Sequence, residues 1–245
     1  MWVDINVHLE LMHAPSESVN QAATAAAVKF IATGTDPDQW DWLVGRTSNV
    51  AFGLHPRYAA QTSDWVSLLE GYLRKNPRCA MGEIGLDFRP QMPNRELQKK
   101  VFEKQLALAK ELDRPVIIHA VKAHSEVISA LKRVGLSRFV IHAFSGSANI
   151  AADYLAMGGY LSASSVLMRT PRPKALQVFR AMPRNRLLFE TDAPDLPLAG
   201  MNQSSPEFLP IIGQSLALDF EISFSALEQL SYANARTLFD YDFVQ

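Results

Sequence analysis

The chain has 245 residues, 48% of them apolar, with a formal net charge of −1. That is enough to build one domain with a sizeable core, and the expectation is a single domain over 1–245. The balanced charge excludes a protein that coats nucleic acid through an overall basic field, though not an enzyme handling a few phosphates at a time.

Along the chain, eight short apolar runs predict strands at 2–7, 28–33, 50–54, 79–81, 116–118, 139–141, 160–163 and 187–189. The first follows directly on Met1, with no basic segment leading into an apolar one and no run long enough to span a bilayer, so a soluble cytoplasmic protein is expected. Helical periodicity fills most of the gaps, at 64–75, 94–112, 126–134, 148–157 and 173–181. It is clearest at 94–112, where Leu97, Val101, Leu108 and Leu112 form an apolar stripe among Lys and Glu. Ser147 is placed to cap the helix after 139–141. The segments 170–173 and 193–210 read as loops. The single cysteine, Cys79, has no disulfide partner within the chain and is assigned to packing.

Strands alternating with helices indicate an α/β fold with a parallel sheet. The potential metal ligands decide how that sheet closes. His8, Glu83, His119, His142 and Asp192 each sit where an apolar run stops. Neighbouring strands lie about 4.8 Å apart, so the edges of an open eight-stranded sheet in sequence order would be roughly 34 Å apart. His8 and Asp192 could then not share a site. A (β/α)8 TIM barrel puts the first and eighth strands side by side and gathers the carboxyl ends of all strands at one face.

Alternation along the first run places Asp4, Asn6 and His8 on one side of the strand. Imidazoles combined with carboxylates suit Zn²⁺, Mn²⁺ or a similar divalent ion, and no thiolate pair suggests a structural zinc. His55, followed at once by Pro56, is assigned to substrate. His13 and His124 lie beyond the strand ends and carry no role. Ser145 lacks the strained elbow of a nucleophilic serine, and the chain has no P-loop, dinucleotide fingerprint or H-E-x-x-H sequence.

The motifs Gly82-Glu-Ile-Gly-Leu-Asp87, His142-Ala-Phe-Ser-Gly146 and Glu190-Thr-Asp-Ala-Pro194 resemble the TatD-type DNase family of metal-dependent hydrolases. That family is a (β/α)8 branch of the amidohydrolase superfamily. Gly53-Leu-His-Pro56 and His119 support the match, which runs from the first strand to Asn234-Ala-Arg-Thr-Leu-Phe239. The resemblance implies two adjacent divalent ions (Mg, Mn or Zn), with Glu83 bridging them, His8 and Asp192 on one, and His119 and His142 on the other. It further implies phosphodiester hydrolysis at DNA ends, preferably of single strands, with Asp192 as general base. Two departures stand out. Asn6 occupies the first position of the family's usual His-x-His pair, which makes the site holding Asn6 and His8 the weaker one and inclines it towards Mg²⁺ or Mn²⁺. After His119, Ala120-Val121 replaces a common Ser-Arg, leaving Lys122 as the candidate phosphate contact. The alternatives are hydrolysis of an amide, ester or lactone on the same barrel, and a catalytically weakened binding protein.

Overall fold

A computed structural model describes residues 1–60, 64–171, 173–241 and 243. Its eight strands, β1 (Trp2–Val7), β2 (Val28–Gly34), β3 (Val50–Phe52), β4 (Ala80–Asp87), β5 (Val116–Val121), β6 (Phe139–Ile141), β7 (Tyr160–Ala163) and β8 (Leu187–Phe189), form a closed barrel in sequence order. Every pairing is parallel. Closure comes from Asp4 opposite Phe189, a further bridge between Val7 and Ala193, and the His8 amide donating to the Ala193 carbonyl at 2.7 Å. Nine helices among the described residues surround it: α1 (Ser16–Ala25), α2 (Pro37–Leu43), α3 (Trp65–Lys75), α4 (Arg95–Glu111), α5 (His124–Val134), α6 (Ala148–Ala156), α7 (Ala175–Ala181), α8 (Leu209–Asp219) and α9 (Phe224–Phe239). None of the described helices is long and apolar enough to cross a membrane.

Two apolar layers hold the barrel. Outward-facing strand residues such as Phe30, Phe52, Phe139 and Phe189 pack against helix residues including Trp40, Phe102, Leu131 and Phe179. Each such large side chain contributes about 1.5–3 kcal/mol when withdrawn from water. A second layer fills the barrel itself with Val3, Ile5, Ile31, Ala51, Ala80, Ile117, Val140 and Leu188. Leu238, Phe239, Tyr241 and Phe243 close it from one end, with the Tyr241 hydroxyl donating to the Val50 carbonyl and accepting the Ala80 amide. Cys79 is buried, its thiol pushed up to about 12 by burial, in keeping with packing.

Two strands run further than their apolar stretches. β4 continues through Gly82 and Gly85 to Asp87, and β5 continues to Val121, because Gly85, Leu86 and Asp87 stay paired with His119, Ala120 and Val121. Glu83 and His119 therefore lie within strands, not at their ends. Gly85 makes the pairing feasible: at φ +150° a Cβ there would lie 2.0 Å from the His119 carbonyl oxygen. In β1 the alternation fails. The β1–β2 register shifts between Asp4 and Val7, so Asp4 accepts from the Thr191 amide and pairs with its hydroxyl, while Asn6 and His8 go elsewhere. The segment 193–210 is loop up to a short 3-10 turn, Pro206–Phe208. Arg172, in the expected loop 170–173, lies outside the described residues. Ser147 caps α6, its hydroxyl accepting the Ile150 amide at 3.4 Å.

Candidate metal centre

The carboxyl ends of the strands meet in a pocket lined by His8, His55, Glu83, His119, His142 and Asp192, with Thr35, Arg57, Tyr58, Arg89 and Asp195 at its sides. Glu83 lies at its centre. Its Oε1 is 2.7 Å from His119 Nδ1 and 3.0 Å from His142 Nε2, and its Oε2 is 3.4 Å from His8 Nε2. Asp192 Oδ1 lies 3.5 Å from that same His8 nitrogen. One carboxylate thus faces two donor groups.

The outer nitrogens of the three imidazoles fix which atom each can offer. His8 Nδ1 donates to the Thr33 carbonyl at 3.1 Å, His119 Nε2 to Asp87 at 3.2 Å, and His142 Nδ1 to Glu190 at 3.3 Å. With the outer atoms protonated, the inner ones present lone pairs. His119 Nδ1 and His142 Nε2 then face each other at 3.0 Å beside a carboxylate oxygen, an arrangement that either a cation or a proton between them would satisfy. The donor set of imidazole nitrogens and carboxylates fits a divalent ion of the Zn²⁺ or Mn²⁺ kind. Without one, protons supply the charge. Burial would push the Glu83 carboxyl up, but His142, His119 and His8 hold it well below the usual range. Burial would likewise lower the imidazoles, yet Asp192 and Glu83 raise His8, Asp87 and Glu83 raise His119, and Glu83 and Glu190 raise His142.

Two triads place their donor atoms within 4.8 Å of one another: His8, Glu83 and Asp192, and His55, Glu83 and His119. His55 belongs less well to the second than His142 does. Its Nδ1 accepts the Arg57 amide at 3.1 Å, and burial lowers its pKa to about 3, so the ring is neutral with the proton on Nε2. A protonated nitrogen donates; it does not ligate. His55 Nε2 lies 3.6 Å from Glu83 Oε1, placed to donate to an incoming oxygen.

Asn6 lies fully buried among these groups. Its Nδ2 donates to Asp192 Oδ1 at 2.9 Å and to Glu83 Oε2 at 3.2 Å, while its Oδ1 has no partner. Lys122, by contrast, is exposed at the end of β5 and does not line the pocket, so it is no substitute for a cation after His119. The cations that do line it are Arg57 and Arg89.

Several supporting residues have signals that the sequence reading passed over. Glu190 sits two positions before Asp192 and takes the Ala143 amide and the Ser162 hydroxyl, which aims it at His142. Asp87 ends the Gly-Glu-Ile-Gly-Leu-Asp run and is gripped by Arg89 two residues on. Gln98 and Gln105, seven apart on α4 and buried, each bond both backbone groups of one residue: Gln98 those of Asp87, Gln105 those of Leu54. They anchor the chain beside Asp87 and His55.

The family model for TatD related DNase matches residues 3–240. The chain belongs to this family. TatD relatives of similar length include an uncharacterized metal-dependent hydrolase, YabD, from Bacillus subtilis, 32% identical over 98% of this chain and 99% of its own. The 3'-5' ssDNA/RNA exonuclease TatD of Klebsiella pneumoniae is 30% identical, with 98% of each chain covered. The crystal structure of the TatD homolog YjjV from Escherichia coli superposes with a TM-score of 0.90 at 30% identity, covering 98% of each chain. The protein is accordingly a TatD-type metal-dependent hydrolase with the TIM-barrel fold of that family.

Proposed function

We propose that residues 1–245 act as one cytoplasmic hydrolase domain that cleaves phosphodiester bonds at DNA ends, single strands preferred, with two divalent ions of Mg, Mn or Zn type. The observation that carries this reading is the split of Glu83, one oxygen towards His119 and His142 and the other towards His8 and Asp192. His119 and His142 would hold one ion, His8 and Asp192 the other, and Glu83 both. Ions so held supply a nucleophile from water and offset charge developing on the phosphoryl oxygens.

The chain's own groups do the rest. Asp192 keeps 11% of its side-chain exposure against 3% for Glu83, which makes it the carboxylate that water reaches and our choice for the proton acceptor. Asn6, donating to Asp192 and Glu83, holds these two carboxylates together. Neutral His55, with its proton on Nε2, would donate to a phosphate oxygen without repelling the nearby imidazoles. The likeness to the Klebsiella 3'-5' ssDNA/RNA exonuclease supports a single-stranded nucleic-acid substrate.

The test is turnover of end-labelled single-stranded DNA, duplex DNA and RNA with Mn²⁺ or Mg²⁺, comparing wild type with His142→Ala and Asp192→Asn. Loss of cleavage in both variants is expected; unchanged cleavage in both would overturn the reading. Turnover of amide, ester or lactone substrates without any on DNA would move the chain to another hydrolase chemistry.

A further inference from the structure

Arg57 and Arg89 border the pocket on the side of the β3 and β4 ends. Arg89 is not a loose surface cation. Its Nε donates to both oxygens of Asp87 at 2.9 and 2.8 Å and its Nη2 also meets Asp87, which is fully buried and holds His119 by its other contact. The guanidinium is thereby fixed in one orientation, with Nη1 left without a hydrogen-bond partner among the described residues. A guanidinium held in place loses little freedom on meeting an oxyanion. The Arg57 side chain is exposed and, among the described residues, has neither a hydrogen-bond nor an ion-pair partner. Its backbone amide fixes the His55 ring, which ties its position to that of a pocket imidazole.

Tyr58, half-buried, lines the same pocket, set edge-on to His55 with ring centroids 6.5 Å apart. Two cations and an aromatic side chain lining one pocket are the elements that bind single-stranded nucleic acid, the cations meeting phosphates and the ring meeting a base. Asp195 shares this mouth: Arg57 acts on its carboxyl against the upward push of burial and Asp192, and Arg89 lies in its field. The donor groups around Glu83 serve the scissile phosphate. Neither guanidinium belongs to them.

We propose that Arg57 and Arg89 receive the phosphate next to the scissile one, with Tyr58 against the intervening base, so that the substrate is a strand with at least one further phosphate and not an isolated phosphodiester. This rests on the phosphodiesterase reading above and adds the requirement for a neighbouring phosphate.

The experiment compares kcat/KM of the Mn²⁺-loaded protein on a single-stranded oligonucleotide and on bis(p-nitrophenyl) phosphate, which has one phosphodiester and no second phosphate. In Arg57→Gln, and again in Arg89→Gln, the ratio of oligonucleotide to small-diester kcat/KM is expected to fall about tenfold. The slope of log KM for the oligonucleotide against log salt should drop by about 0.7 for each contact removed. A parallel fall on both substrates in Arg89→Gln would show that Arg89 merely positions His119 through Asp87, and either that result or an unchanged ratio in Arg57→Gln would overturn the proposal. Wild-type protein that cleaves the small diester but neither binds nor cleaves the oligonucleotide would overturn it, leaving phosphodiester hydrolysis standing but not its DNA substrate. If neither substrate turns over, that reading fails, and fluorescence anisotropy of the labelled oligonucleotide decides this inference: about tenfold weaker binding in Arg57→Gln supports it, equal binding overturns it.

Discussion

Replacing Asn6 with His should tighten divalent-ion binding at the group formed by His8, Glu83 and Asp192. As folded, the Asn6 amide turns its NH2 towards two carboxylates, at 2.9 and 3.2 Å, and leaves Oδ1 buried without a partner. To offer Oδ1 to an ion, the amide must turn over. Two charge-assisted hydrogen bonds worth about 1.5–3 kcal/mol each are then lost, and pairing the orphaned oxygen recovers about 1–3 kcal/mol. The net cost is about 2–3 kcal/mol, which at 1.4 kcal/mol per decade is about one to two decades of affinity. An imidazole nitrogen in this place has no amide to turn. Calorimetric titration of the metal-free proteins with Mn²⁺ should therefore show the weaker binding step tightened by about 10–100-fold in Asn6→His. Asn6→Ala should not reproduce the gain, since it supplies no donor atom. Equal affinities, within twofold, in wild type and Asn6→His would refute the reasoning.

Three further predictions concern the scaffold. Asp87→Asn, which removes the charge holding His119 Nε2, should weaken metal binding by about 10–100-fold in competition with a chelating dye; unaltered affinity would deny Asp87 that role. Asp4 is fully buried, and burial raises its pKa to about 8, against about 3.9 in the unfolded chain. Between those values the unfolded chain has released a proton that the folded one retains, so this group's contribution to stability falls as pH rises. Asp4→Asn removes that slope, and urea unfolding should show the stability lost between pH 5 and 8 reduced by ~2–4 kcal/mol; an equal loss in both proteins would contradict the assignment. Gly85→Ala would drive a Cβ into the His119 carbonyl, at 2.0 Å, and should lower Tm by roughly 10 °C or prevent folding. Gly45→Ala, also at positive φ but with nothing within 4 Å of the added Cβ, should cost only about 1 kcal/mol.

The barrel and its order were legible because the strands carry short apolar runs, five of which stop at or near a potential metal ligand. The separation of His8 from Asp192 could be reconciled with one site only by closing the sheet. What composition hid was backbone detail. The apolar run 79–81 stops at Gly82, whereas glycine at 82 and 85 is what allows β4 to run on close beside β5. Alternation in β1 misplaced Asp4, because no local signal marks an irregularity set by the β1–β2 pairing. Helix α8 has no clear helical periodicity in the sequence, since Leu209, Ile212, Leu216 and Ala217 are buried while Ile211 and Leu218 remain exposed, which blurs the apolar stripe. Within the site, the inner residues were visible as types, but their supports, Glu190, Gln98 and Gln105, are ordinary polar residues whose role depends on where the fold aims them.

The division of Glu83 between its two oxygens has a thermodynamic consequence. A single carboxylate polarised at one oxygen by an arriving cation is a poorer donor at the other, so if both groups take an ion they should not load independently. Reciprocity requires that the factor by which occupancy of the His119 and His142 group alters affinity at the His8 and Asp192 group be the same in reverse. A substitution confined to one side, Asn6→His included, should therefore register on the far side of the barrel mouth as a displaced titration, with Glu83 as the conductor.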